Sequence, residues 1–140
     1  MGQPQYLSFI KQLRSLNHEL DERLMSGLRP IGLSCVQADA LMALEGLQPC
    51  SLKTLSEHLI AESGHPSRLI ARMRERGLVT VEASADDRRA MLISLTREGT
   101  KMAKESFLIR EGIMANLHLS ADDLSNTTDF LMSVRRQLTS

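Results

Sequence analysis

Residues 65–99, HPSRLIARMRERGLVTVEASADDRRAMLISLTREG, change their apolar period partway along. Up to Arg76 the apolar side chains Leu69, Ile70 and Met73 return every three or four residues, as on a helix. Over residues 78–82 and 90–95 the apolar side chains, Met91, Ile93 and Leu95 among them, instead alternate with their neighbours, as on strands. Gly77 stands at the change, where glycine accepts a positive φ at no steric cost and stops a helix. The polar segment 83–89 joins the two strand runs into a hairpin with a long tip, and Thr96 is placed to cap a further helix. A helix over about residues 65–76 followed at once by a hairpin is the pattern that decides the fold. On a helical wheel with Arg68 at zero, Arg72, His65 and Arg76 fall within about 80°, while Pro66, Leu69, Ile70 and Met73 gather between about 100° and 200°. Basic and apolar residues thus take different faces.

Upstream of this stretch, Tyr6, Phe9, Ile10, Leu13, Leu16, Leu20 and Leu24 recur at helical spacing, which predicts an amphipathic helix from Gln5 to Met25, broken by Gly27, Pro30 and Gly32. Ser34 can cap a second helix carrying Val36, Leu41, Leu44 and Leu47, which Gln48 and Pro49 end. Ser51 can cap a short third helix with Leu52, Leu55 and Leu59 inside. Downstream, a helix with Met102, Phe107, Ile109, Ile113 and Met114 precedes a last one, opened by a capping box at Ser120–Asp123 and carrying Leu124, Leu131, Val134 and Leu138. The order is helix, helix, arginine-rich helix, hairpin. That order predicts a mainly α (α+β) chain, a winged helix-turn-helix with a two-stranded wing. The expected division is an N-terminal dimerisation helix over residues 1–32, a DNA-binding core over 33–99 and C-terminal dimerisation helices over 100–140.

The whole chain of 140 residues balances 17 basic against 17 acidic side chains, which taken alone argues against nucleic acid. The balance is uneven along the chain. Residues 63–101 carry eight basic and five acidic side chains, a surplus of three, while the flanks are mildly acidic. Only the middle is expected to meet an anion. No apolar run approaches a membrane span of ~20 residues, and the start has no leader pattern, so a cytoplasmic chain with reduced thiols is expected. Enzyme chemistry finds no support. Ser8 and Lys11 share a nucleophile-pair spacing, but Phe9 and Ile10 between them read as buried, and the companion motifs are missing. His18, His58, His65 and His118 lie on separate segments without metal-ligand spacing, and neither a metal nor a cofactor is expected.

Taken together, R-L-I-A-R-M-R-E-R-G-L-V at 68–79, D-R-R at 87–89 and L-T-R-E-G at 95–99, with Leu33-Ser34, Gln37 and L-S-A-D-D-L at 119–124, resemble the MarR family of bacterial transcriptional regulators. The resemblance implies a sequence-specific DNA-binding homodimer, a repressor on a pseudopalindromic operator, answering to a small aromatic or phenolic ligand. Its site residues would be Ser63, His65, Ser67, Arg68 and Arg72 at the recognition helix and Asp87, Arg88 and Arg89 at the wing tip. Adjacent on an extended chain, Arg88 and Arg89 point to opposite sides, so one can serve Asp87 and the other a phosphate or a narrow minor groove. Asp87 itself can accept from a guanidinium or from turn amides. Two features depart from the family pattern: Val81 and Glu82 make the first wing strand less basic, and His65-Pro66 alter the helix start. The readings that compete are a winged helix serving as a protein interaction module, and a thiol sensor through Cys35, whose place in a first helical turn favours a thiolate. Relatives with that chemistry place the reactive thiol in the first helix, where this chain has none.

Overall fold

A computed structural model describes residues 2–59, 65–87 and 89–140. Among these, six α-helices and one antiparallel hairpin form a winged helix framed by long terminal helices. Helix α1 spans Gln5–Leu28 and runs straight through Gly27, so the break expected before that glycine falls later. The reason is close packing. A Cβ at Gly27 would lie 2.6 Å from Ile109 Cγ2, so glycine here brings α1 against α5 (Arg97–Ala115). A 3-10 turn, Arg29–Ile31, then closes on Gly32 at φ 70°.

Helix α2 (Cys35–Leu47) opens with a full capping box: Ser34 Oγ accepts from the Gln37 amide, and Gln37 Oε1 accepts from the Ser34 amide, each at 3.1 Å. Helix α3 (Leu52–Glu57) is capped by Ser51, and α4 (Pro66–Glu75) ends where Gly77 turns at φ 74°. His65 is the residue before α4 rather than its first, and its side chain makes no capping bond. Strands β1 (Val79–Ala83) and β2 (Met91–Leu95) pair in the register Val79 to Leu95 through Ala83 to Met91. The far edge of β2 is also covered. Cys50 exchanges two backbone hydrogen bonds with Ile93, of 3.1 and 2.7 Å, and Gln48 Oε1 accepts from the Leu95 amide at 2.8 Å.

Thr96 caps α5 and locks it to the hairpin: its Oγ accepts from the Gly99 amide, its hydroxyl donates to the Gly77 carbonyl, and its amide donates to the Leu78 carbonyl. Helix α6 (Ala121–Thr139) is capped by Ser120 Oγ on the Asp123 amide, one half of the box that the sequence suggests. The core sits between α2, α5 and the hairpin, where Leu28, Leu41, Leu44, Leu55, Met73, Leu78 and Ile93 are sealed from water. Helix α6 buries no residue and meets α1 edge to face, Phe9 on Phe130, with ring centroids 5.7 Å apart.

Candidate nucleic-acid interface

Ile70 and Met73 fix the rotation of α4 by burying themselves at 7% and 0% exposure. With those two inward, 3.6 residues per turn send Ser67, Arg68, Ala71, Arg72 and Glu75 outward, and all five are exposed. His65, Arg68, Leu69 and Arg72 share a surface depression of about 270 Å³ with Ser34, Val36 and Gln37 at the start of α2. The positively charged side chains therefore stand over a helix N-terminus, itself a source of positive potential, which suits an anionic backbone. Ser67 turns the other way, toward Lys53, Ser56 and Glu57 on α3. Arg76, though exposed, donates to the carbonyls of Gly32 and Ile31, so the helix loses one of its apparent groove cations to a structural clamp.

At the wing tip, Asp87 Oδ1 accepts from the Arg89 amide at 3.0 Å and the Asp87 carbonyl accepts from the Ala90 amide at 3.0 Å. The Ser84 amide donates to the Ala90 carbonyl at 2.8 Å, closing the base of the turn. Of the two partners the sequence leaves open for Asp87, the described bond is to a turn amide. Arg89 is exposed, whereas Ser63 and Arg88 lie outside the described residues. Gln37 is the site neighbour that sequence reasoning assigned no role, and its capping spacing from Ser34 was the available signal.

A second polar cluster joins α1, α2 and α5. Asp39 pairs with Arg110, and Arg110 Nε is buried without a partner among the described residues. The Cys35 thiol donates toward the Asp21 carbonyl at 3.8 Å. Burial raises the Cys35 thiol above its ordinary range, with Asp21 and Asp39 adding to the effect and Arg110 opposing it. The thiolate expected from the helix start is thus disfavoured, because burial and two carboxylates outweigh the helix dipole. Cys50 is likewise pushed up by burial. Arg110 also lines a cleft of about 220 Å³ between α1 and α5, with Leu20, Asp21, Leu24 and Ile113. Among the described residues no helix is long and apolar enough to cross a membrane.

Residues 33–99 match the family of the winged helix DNA-binding domain. The organic hydroperoxide resistance transcriptional regulator of Bacillus subtilis (strain 168) is 26% identical over 126 residues, covering 90% of this chain and 86% of the relative. Among solved structures, a mutant MarR from E. coli complexed with operator DNA superposes with a TM-score of 0.76 at 19% identity, covering 94% of this chain and 99% of that one. The structure of BpsR from Bordetella bronchiseptica, described for the regulation of its DNA binding by 6-hydroxynicotinic acid, gives 0.78 at 21% identity, covering 89% and 91%. The matched family is a DNA-binding domain, and the Bacillus relative is a transcriptional regulator. With its recognition helix and wing in place, residues 33–99 form a winged helix that matches a DNA-binding domain family, in a chain that shares the fold of the MarR structure.

Proposed function

We propose that the protein is a cytoplasmic homodimer that represses transcription from a pseudopalindromic operator and lets go when a small ligand enters each protomer. One observation carries the dimer. Of the sixteen large apolar side chains exposed among the described residues, fifteen lie on α1, on α5 and the loop after it, or on α6, and only Met91 lies on the wing. Leu16, Phe130 and Leu138 are more than half exposed, a cost that a second copy removes by covering them. A two-fold dimer built this way presents two α4 helices, to be set about one helical turn of DNA apart.

In this reading Arg68 and Arg72 reach base edges or phosphates in the major groove, with His65 and Ser67 beside them and Ser63 just ahead. One of Arg88 and Arg89 reaches the backbone or minor groove, while Asp87 holds the tip in shape. The cleft between α1 and α5 has apolar walls with the Arg110 guanidinium, the Asp21 carboxylate and the Asn17 amide among its lining, which fits a small aromatic or phenolic compound bearing a polar group. The BpsR neighbour, described for the regulation of its DNA binding by 6-hydroxynicotinic acid, supports a ligand of that size.

The test is a duplex selected by the protein from a randomised pool, with binding followed against salt. Light scattering should give about twice 15.6 kDa, and affinity should fall steeply with salt on the selected duplex while a shuffled duplex binds far more weakly. A well-behaved monomer, or equal binding to both duplexes, refutes the reading.

A further inference from the structure

The cluster at the junction of α1, α2 and α5 holds two carboxylates and one guanidinium. Asp39 on α2 carries the ion pair to Arg110 on α5. Asp21 on α1 lines the same cleft as Arg110, and the neutral Cys35 thiol sits beside Asp21. One cation between two acids leaves the group short by one positive charge. The pair is also partly sealed, with 34% of the Arg110 side chain and 21% of the Asp39 side chain exposed. Burial raises the Asp39 carboxyl above the usual carboxylate range, Arg110 pulls it back, and Asp21 raises it again.

Asp39 also has a place in the reading geometry. It lies in the second turn of α2, on the other side of the helix from Gln37, and the first turn of that helix borders the depression that contains Arg68 and Arg72. The ion pair therefore ties the start of α2, beneath the recognition helix, to the middle of α5, a helix of the dimer region.

We propose that the Asp39–Arg110 pair is an acid-sensitive brace: when Asp39 takes up a proton, the tie between α5 and α2 opens and the protein loses affinity for DNA. The proton goes to the Asp39 carboxylate, and Arg110 is left with Asp21 across the cleft as its remaining carboxylate partner. This rests on the DNA-binding reading above, and adds to it a proton as effector. A duplex selected at neutral pH should lose roughly fivefold or more in affinity as pH falls from about 7.5 to 4.5, toward the raised Asp39 value, one proton entering per protomer. Histidine side chains in general gain charge over the same interval and would strengthen contact with phosphates, so the comparison is made in a His65→Gln background.

Asp39→Asn keeps an oxygen for Arg110 but carries no charge. It should bind weakly already at neutral pH and show a flat pH profile, while Asp21→Asn, which removes the surplus carboxylate, should move the loss of binding to lower pH. Melting temperature, followed in parallel, confirms that each variant is folded. The proposal is overturned if Asp39→Asn keeps the wild-type pH dependence, or if the wild-type affinity is the same at both ends of the range. If no duplex is selected at any pH, the DNA-binding reading itself has failed, a result distinct from either of these.

Discussion

Replacing Gly99 by alanine should disable the joint between the wing and α5. A Cβ there would stand 1.9 Å from the Leu78 carbonyl oxygen and 3.3 Å from Leu95 Cδ2. Real Cβ atoms keep at least 3.0 Å, so backbone on one side must move by about 1.1 Å. The three bonds made through Thr96, to the Gly77 and Leu78 carbonyls and from the Gly99 amide, converge on that spot and cannot all survive the shift. Losing two of them costs about 2 kcal/mol, and overpacking adds ~1–3 kcal/mol, against which alanine recovers up to about 1 kcal/mol in helix propensity. The net loss is about 3 kcal/mol, a large share of the ~5–15 kcal/mol that holds a domain together. Urea unfolding followed by circular dichroism at fixed protein concentration measures it. Gly46→Ala is the control, since a Cβ there meets nothing within 4 Å and should be neutral or stabilising. A loss below about 1 kcal/mol in Gly99→Ala would refute the reasoning, because the carbonyl contact would then not constrain the joint.

Arg72→Ala should weaken binding to the selected duplex by ~1–3 kcal/mol and relax preference at one base pair per half-site, read by competition among duplexes; an unchanged affinity removes α4 from the groove. Arg89→Ala should reduce the slope of log affinity against log salt by about one per half-site, whereas Asp87→Ala should lower affinity through a misplaced tip, with melting temperature unmoved in both. Arg110→Met leaves Asp39 partly buried without its cation, which should cost ~1–3 kcal/mol at neutral pH after allowance for its partial exposure. Since burial already raises the Asp39 carboxyl, the native state binds that proton more tightly than the unfolded chain. The deficit should therefore shrink as pH falls through the raised value and grow as pH rises through it, which melting curves between about pH 4 and 8 will show.

The elements that carry the fold announce themselves locally. The switch of period at Gly77, the caps at Ser34, Ser51, Thr96 and Ser120, and the two faces of α4 all depend on residues within a few positions of one another. What stayed hidden is long-range. Arg76 looks like one more groove cation until the carbonyls of Ile31 and Gly32, more than forty positions away in sequence, are seen to claim it. Nothing in the spacing of Asp39 and Arg110 predicts their meeting, and a lone bridge at Cys50 has no alternation to betray it. Gly27 reads as a helix breaker because a sequence cannot show that Ile109 needs the space. At Cys35 the helix start and the Asp39 carboxylate one turn on are visible in sequence, whereas the burial of the thiol and the approach of Asp21 from α1 are not.

The two ends of the recognition helix are held with unequal firmness. At its C-terminal end, the Arg76 clamp and the Gly77 turn anchor α4 to the joint after α1 and to the first wing strand. At its N-terminal end, His65 supplies no capping bond. A rod held more firmly at one end moves most at the other, so the end near His65 has the wider arc. Side chains near the tip, His65 and Arg68, can follow small differences in groove width, while Arg72, one turn nearer the clamp, keeps its place. In the proposed complex, stringency is accordingly expected to be graded along the half-site: base pairs facing Arg72 should tolerate the least change, and those facing the tip should accept near variants.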